Sequence, residues 1–156
     1  MLGKEKKCIG IIFGGNSNEH YVSICSAKTV YKSLISKSNK ERFTVKAFYI
    51  NKHGVWFNND LSLEILKENT KNDEIDNYQL FPKREINFLN KIEFQIIDIW
   101  FPLLHGLNGE DGAIHGLLKF TQKPLVGCGI LGSALGMDKI LMKKIFSHLR
   151  IPQVNY

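Results

Sequence analysis

Apolar residues occur along this chain in short runs that alternate with segments of helical periodicity. The run Cys8–Phe13 is apolar and ends at two glycines, which is typical of a central parallel strand buried on both faces. The segment Glu19–Ile35 then places apolar side chains at helical spacing. Further strand signals cover Phe43–Ile50 and Gln95–Phe101. This alternation predicts an α/β fold with a mostly parallel sheet flanked by helices.

Shorter elements fill most of the remaining sequence. Turn-forming residues before Val55–Phe57 predict a hairpin. The segment Glu68–Lys91 has no firm period and is interpreted as an irregular surface excursion. The other predicted elements are helices at Leu61–Lys67, Gly112–Phe120 and Ser133–Leu149, a strand at Pro124–Val126 and an extended segment at 151–156.

Length and charge limit the class of protein. With 156 residues, 44% of them hydrophobic, the chain can form one domain with a real core. Glycines between Gly127 and Ser133 predict a boundary, with one α/β domain at 1–130 and the start of a second domain at 131–156. The net charge of +6 comes from lysines scattered in pairs, so no nucleic-acid partner is expected. No segment approaches the ~18 apolar residues of a membrane span, so no membrane partner is expected either.

The cysteines and the N-terminus bear on the compartment. Cys8, Cys25 and Cys128 are widely spaced, odd in number and each set in an apolar segment, which favours buried free thiols in a reducing compartment. The basic residues before the first apolar run resemble a signal peptide, but that run is short and favours a first strand. We therefore expect a cytoplasmic protein.

Polar, glycine-rich loops follow two of the predicted strands. Ligands of open parallel sheets bind beyond the carboxyl ends of the strands, where loops meet helix N-termini. The loops Gly14–Glu19 and Pro102–Asp111 both hold such positions, and they would face one cleft if their strands are neighbours. The first loop is neither a GxGxxG fingerprint nor a Walker A loop, which disfavours dinucleotide binding.

Each candidate residue in these loops has two interpretations. Ser17 is suited to cap the next helix with Glu19 in its first turn, but a carboxylate there also suits a substrate ammonium group. His105 has no cysteine or second histidine at ligand spacing, so a metal site is not expected. It is either structural or a donor and proton shuttle for a substrate. Glu110 and Asp111 either start a helix or support the site.

The segment Ser133–Lys139 opens the last predicted helix, with Ser133 or Asp138 as its cap. Lys139 near a helix start opposes the helix dipole, and an anion such as phosphate would remove that objection. The remaining histidines are interpreted as surface or packing residues: His20, His53, His115 and His148.

Three motifs, in this order and spacing, resemble the N-terminal part of D-alanine:D-alanine ligases of the ATP-grasp superfamily. The resemblance covers essentially the whole chain and is weakest from about Lys52 to Lys91. His115 stands where that family commonly has glutamine, and Cys128 where serine is frequent. The motifs are Gly14-Gly15-x-Ser17-x-Glu19-x-x-Val22-Ser23, Leu104-His105-Gly106-x-x-Gly109-Glu110-Asp111-Gly112 and Ser133-Ala134-x-x-Met137-Asp138-Lys139.

The resemblance implies a Rossmann-like pre-ATP-grasp domain of an enzyme that joins two D-alanines for peptidoglycan. One D-alanine is activated by ATP as an acyl phosphate and attacked by the amine of the second. Glu19 and His105 would be the catalytic and substrate-binding residues, at the ammonium and carboxyl ends of the first D-alanine, and Lys139 would contact the ATP phosphates. Ser23 would bind substrate or join the supporting residues, which are Gly14, Gly15, Ser17, Glu110 and Asp111.

The family also has central and C-terminal ATP-grasp domains, which hold Mg or Mn and most of the nucleotide. We expect the 156-residue chain to be inactive without them, and the family's homodimer is the expected assembly. A stand-alone, non-catalytic α/β module that binds a ligand or a partner chain is the alternative. A third interpretation is a related ligase with D-lactate or D-serine as second substrate.

Overall fold

The computed structural model describes residues 5–67 and 92–155, so the predicted excursion at Glu68–Lys91 lies outside the described residues. Within those ranges the chain forms four strands and six helices. The strands are β1 (Lys7–Gly14), β2 (Phe43–Ile50), β3 (Trp56–Phe57) and β4 (Ile99–Pro102). The helices are α1 (His20–Leu34), α2 (Asn59–Lys67), α3 (Ile92–Gln95), α4 (Ala113–Lys119), α5 (Ile130–Met137) and α6 (Lys139–His148).

The described strands form one sheet in the order β3-β2-β1-β4. β1 lies in the middle and pairs in parallel with β2 over its full length, from Lys7 opposite Phe43 to Gly14 opposite Ile50. It also pairs in parallel with β4, and β3 returns antiparallel to β2 as the predicted hairpin. The mostly parallel α/β architecture and the central position of the first strand are therefore confirmed.

Side chains of β1 enter two hydrophobic cores, one on each face of the sheet. Ile9, Ile11 and Phe13 pack against α1 and α2, whereas Ile12 packs on the opposite face against residues of β4 and α4. This alternation follows from the two-residue period of a strand. Because both faces are covered, a continuous apolar run is the sequence that a central parallel strand needs.

Gly10 makes room for the largest side chain of the second core. Trp100 is fully buried, and it lies opposite Gly10 across the β1–β4 pair. A β-carbon built on Gly10 would lie 2.6 Å from the Trp100 ring and 3.0 Å from the Ile97 side chain. The indole ring therefore occupies the space that any other residue at position 10 would need.

Two predictions for elements in the second half of the chain were wrong, one for the start of a strand and one for the length of a helix. The strand predicted at Gln95–Phe101 begins only at Ile99, because Gln95 belongs to α3 and pairing with β1 starts where the Asp98 N–H donates to the Cys8 carbonyl, at 2.8 Å. The helix predicted at Ser133–Leu149 is two helices, since Asp138 is extended and its carboxylate accepts the Ile140 and Leu141 N–H groups at 3.0 Å each.

The predicted strand Pro124–Val126 is reduced to a single parallel bridge between Leu125 and Trp100. The domain boundary predicted between residues 130 and 131 falls within the first turn of α5, and it stays a prediction.

The prediction of three buried thiols was wrong for two of them. Cys8 is half-buried, and burial raises the pKa of its thiol, but Cys25 and Cys128 are exposed. Cys25 follows the buried Ile24 in α1, so it points to the outer side of that helix. Apolar neighbours in the sequence therefore did not predict burial for Cys25 and Cys128.

Two observations describe the surface. The longest described helix, α1, has 15 residues, and no helix in the described part of the chain is long and apolar enough to cross a bilayer. Large apolar side chains lie exposed on the last two helices and the segment that follows: Leu131, Ile140, Leu141, Leu149 and Val154.

Replacing Gly10 by alanine should destabilise the fold by about 1–3 kcal/mol, because the Trp100 ring must move to admit the methyl group. Urea unfolding of the purified chain measures this. Gly116→Ala is the matched control: it lies in α4, where the added carbon meets nothing within 4 Å apart from its chain neighbours and the helix's own backbone, and it should stabilise by up to about 1 kcal/mol. An unchanged unfolding midpoint for Gly10→Ala would contradict the packing described.

Asp98 should make stability depend on pH. Its carboxylate accepts the Cys8 N–H at 2.8 Å and lies 3.5 Å from the Lys7 ammonium, and these two contacts hold the pKa of Asp98 below its usual range. The charged form is thus favoured in the folded state, so this stabilisation is present at neutral pH and lost as pH falls through the lowered pKa. The stability advantage of wild type over Asp98→Asn should shrink as pH is lowered below about 4. A difference that stays constant across a urea-unfolding series in pH would contradict this.

Candidate functional site

The two polar loops lie side by side at one edge of the sheet. β1 and β4 are parallel neighbours, so the loops that follow them, Gly14–Glu19 and Leu103–Asp111, leave from adjacent carboxyl ends. The expectation that they face one region is confirmed. The topology thereby joins residues that lie almost 90 positions apart in the sequence.

Ser23 fixes the two loops from beneath. Its side chain is fully buried, accepts the Gly14 N–H at 2.8 Å and donates to the Leu103 carbonyl at 2.6 Å. Both polar functions of the hydroxyl are therefore used by backbone groups of β1 and of the loop after β4. These contacts give Ser23 a supporting position under the site.

Ser17 joins the same loops at the surface. Its hydroxyl donates to the His105 carbonyl at 2.7 Å and accepts the Glu19 N–H at 3.2 Å. The N-cap of α1 is Glu19 itself, and no side chain caps it. The prediction of Ser17 as the helix cap was therefore wrong: its hydroxyl contacts the backbone of Glu19, just before the helix, and of the histidine loop.

Gly14 and Gly15 turn the chain from β1 into α1. Both have left-handed φ angles, +92° and +90°, and a β-carbon at Gly14 would overlap the Ile50 carbonyl. The buried His20 braces this turn: Nδ1 donates to the Gly15 carbonyl, and Nε2 lies 3.1 Å from the Tyr49 hydroxyl. The interpretation of His20 as a packing residue is therefore refined to a support of the first loop.

Glu19, His105 and Glu110 form the chemical centre of the site. One ligand atom from each lies within 4.8 Å of the others, with both carboxylates exposed and the imidazole half-buried. His105 Nδ1 is 3.6 Å from Glu110 Oε1, and the other Glu110 oxygen accepts the Gly106 N–H at 2.8 Å. Two negative charges beside one ring suit an ammonium group or a small cation. The spacing of these residues along the chain could not reveal this grouping.

Asp111 lies next to the cluster, but its hydrogen bonds go to the backbone of the loop and of the start of α4. Its carboxylate accepts the Asn108 N–H at 2.8 Å and the Ala113 N–H at 3.0 Å. The helix-start interpretation therefore describes its contacts. Glu110, by contrast, accepts a hydrogen bond from the loop backbone and lies beside the histidine ring.

A cavity of about 440 Å³ adjoins this centre. His105 and Glu110 line one part of it, and the small residues Gly132, Ser133 and Gly136 of α5 line another. His105 also lines a smaller cavity of about 250 Å³ beside the first glycine loop. The space next to His105 is large enough for an amino acid.

Lys139 is exposed at the first position of α6, directly after the capping Asp138. It is not among the residues that line the cavity beside His105. The structure thus brings Glu19, His105 and Glu110 together, and it leaves Lys139 outside that cluster. No ion pair of Lys139 occurs within the described ranges.

The sequence reasoning missed Ser26. Its hydroxyl lies 3.0 Å from His105 Nε2, on the ring nitrogen opposite Glu110. Ser26 follows Ser23 by three residues and therefore lies on the same face of α1, but this spacing by itself does not indicate a partner. Only the pairing of β1 with β4 shows what that face meets.

Sequence relatives of the chain are D-alanine–D-alanine ligases. Those from Prochlorococcus marinus subsp. pastoris and from Prochlorococcus marinus strain MIT 9515 are 81% and 76% identical over all 156 residues. The chain spans 44% of the length of each of these relatives.

Solved structures with a similar fold include two ligases. The D-alanine-D-alanine ligase of Coxiella burnetii superposes with a TM-score of 0.75 at 28% identity, over 97% of this chain and 43% of that one. The VanG D-Ala:D-Ser ligase of Enterococcus faecalis gives 0.66 at 30% identity, over 92% and 42%. A family model described as D-ala D-ala ligase N-terminus matches residues 8–128. Since this match covers most of the sequence, the chain belongs to the D-ala D-ala ligase N-terminus family.

Proposed function

We propose that the Glu19, His105 and Glu110 cluster binds the first D-alanine of a D-alanine:D-alanine ligase. The observation that carries the proposal is the meeting of two exposed carboxylates and one imidazole at the carboxyl ends of β1 and β4. A free amino acid is a zwitterion. Its ammonium group suits Glu19, and its carboxylate suits an N–H of His105.

In the proposed reaction ATP supplies the phosphoryl group that activates the D-alanine carboxylate, and the product dipeptide serves peptidoglycan synthesis. Lys139 fits a contact with the ATP phosphates, since its ammonium group is exposed and makes no ion pair within the described ranges. Mg or Mn would be held by residues in the part of the relatives' length that this chain does not span. His105 and Glu19 therefore position the substrate. Charge neutralisation at the phosphates is assigned to Lys139 and to the part of the relatives that this chain does not span.

The supporting residues have separate tasks in this proposal. Ser23, although a candidate for substrate binding, is assigned to support because its hydroxyl is buried and both its hydrogen bonds go to backbone. Ser17 and the two glycines shape the first loop, Asp111 shapes the second, and Glu110 orients His105. Glu19 and His105 are left to meet the ligand.

The second substrate is not distinguished by this part of the fold. The two solved structures described above are a D-alanine-D-alanine ligase and a D-Ala:D-Ser ligase, and they match 97% and 92% of this chain. We propose D-alanine because it is the acceptor in the names of the relatives at 81% and 76% identity.

A cytoplasmic location and a homodimer complete the proposal. Exposed apolar residues such as Leu131 and Ile140 favour self-association.

Glu19→Gln should weaken binding of D-alanine by about tenfold or more, because a hydrogen bond to a charged group is replaced by one to a neutral amide. Titration of the chain with D-alanine, followed by amide NMR shifts, measures the dissociation constant. Glu41→Gln is the matched control, since Glu41 is an exposed carboxylate that pairs with Lys6 at 3.7 Å, outside the cluster. Equal affinities for Glu19→Gln and wild type would refute the assignment of Glu19.

The 156-residue chain should release no phosphate above a protein-free blank when incubated with ATP, Mg²⁺ and D-alanine. Phosphoryl transfer depends on metal ions and cationic groups that neutralise developing charge. Apart from Lys139, we assign those groups to the length of the relatives that this chain does not span. A coupled phosphate assay measures the rate, with a full-length relative as the positive control. Sustained turnover by the chain would overturn this part of the proposal.

A further inference from the structure

Side chains from two different elements lie beside the two nitrogen atoms of the His105 ring. Ser26 of α1 places its hydroxyl 3.0 Å from Nε2, and Glu110 of the loop after β4 places a carboxylate oxygen 3.6 Å from Nδ1. The loop that carries His105 is itself tied to Ser17 through the His105 carbonyl. Ring and backbone are therefore positioned independently.

The chemistry of the two partners distinguishes the two nitrogens. An ionised carboxylate only accepts hydrogen bonds, whereas a serine hydroxyl either donates or accepts. A proton on Nδ1 therefore faces Glu110 favourably, and a lone pair on Nδ1 would face negative charge. The lone pair of a neutral ring is best placed on Nε2, where Ser26 can donate to it.

The other charged groups around the ring act in the same direction. Glu19 lies in the same 4.8 Å cluster and adds a second negative charge. The titratable residues that line the adjoining cavity with His105 are Glu110, His115 and Cys128. Among the described residues, no lysine or arginine lines that cavity.

We propose that Ser26 is a positioning residue which, together with Glu110, holds neutral His105 as the Nδ1–H tautomer. The ring then presents an N–H, rather than a lone pair, beside the two carboxylates. Resting on the proposed function, this N–H donates to the carboxylate of the bound D-alanine, because the Glu110 oxygen at 3.6 Å lies beyond hydrogen-bond distance and leaves the N–H available. If the ring gains a proton, Nε2 receives it and the Ser26 hydroxyl rotates to accept, so the ring keeps its orientation in both states.

The tautomer is measurable without any ligand or turnover. Long-range ¹H–¹⁵N NMR spectra of the labelled chain distinguish a protonated from an unprotonated ring nitrogen, and His105→Asn identifies the signal. The spectra are compared at a pH where only one ring nitrogen carries a proton, which is the neutral state of the ring. Wild type should show Nδ1 protonated, and Ser26→Ala should lose this preference in favour of a mixture or of Nε2–H.

Two further variants separate positioning from a general effect on folding. Ser26→Thr keeps a hydroxyl at the same place and should restore the wild-type tautomer. Thr29→Ala removes a hydroxyl of the same helix that donates to the Cys25 carbonyl at 3.1 Å, and it should leave the His105 signal unchanged. An Nε2–H tautomer in wild type, or an unchanged tautomer in Ser26→Ala, would overturn the proposal.

A D-alanine titration of the same samples links the tautomer to binding. Ser26→Ala should raise the dissociation constant about threefold to tenfold, as expected for the loss of one ordered hydrogen bond, and Ser26→Thr should recover most of it. Failure of the wild-type chain to bind D-alanine would refute the proposed function. The ligand-free spectra would then still decide the role of Ser26.

Discussion

The two hydrogen bonds of the Ser23 hydroxyl determine where the candidate site can form. Regular pairing of β1 with β4 ends at Ile12 opposite Pro102, and beyond this point the two strands lead into separate loops. Ser23 then accepts the Gly14 N–H and donates to the Leu103 carbonyl. Without it two backbone groups would be buried or half-buried and unpaired, each at a cost of about 1–3 kcal/mol. One side chain of α1 thereby holds helix, strand and loop at a common point.

The direction in which the chain leaves β1 is a second constraint on the same point. Left-handed φ angles at Gly14 and Gly15 bring the start of α1 back over the sheet edge, where His20 contacts the Gly15 carbonyl and the Tyr49 hydroxyl. Glu19 is the residue immediately before this buried anchor. Its backbone is fixed from both sides, by Ser17 and by His20, while its side chain stays in solvent.

The order of strands and helices could be read from the sequence because each depends on local patterns. The apolar run of β1 and the period of α1 are set by burial on two faces and on one face. The position of α3 and the break at Asp138 could not be read in this way. Ile96 and Ile97 look alike in sequence, yet Ile97 is fully buried and Ile96 is half exposed, and only the packing on β1 separates them.

The site, too, could be predicted from the sequence only in part. Glu19, His105 and Glu110 could each be named from the sequence, because polar residues after buried strands favour ligands. Their grouping within 4.8 Å depends on β4 pairing with β1, a contact between distant parts of the chain. Ser26 escaped notice because a serine on a helix face carries no signal until its partner is known.

The buried polar groups of the site are paired within the protein, whereas its two exposed carboxylates repel each other. Ser23 and His20 have their polar groups paired within the protein, so they gain nothing from a ligand. Glu19 and Glu110 instead place two like charges near one ring, which raises the free energy of the empty site. An ammonium group relieves that repulsion, while an anion alone would increase it. Under the proposed function, the cluster would therefore select a zwitterion by its cationic end first, and the tautomer of His105 would then determine whether its carboxylate finds a donor.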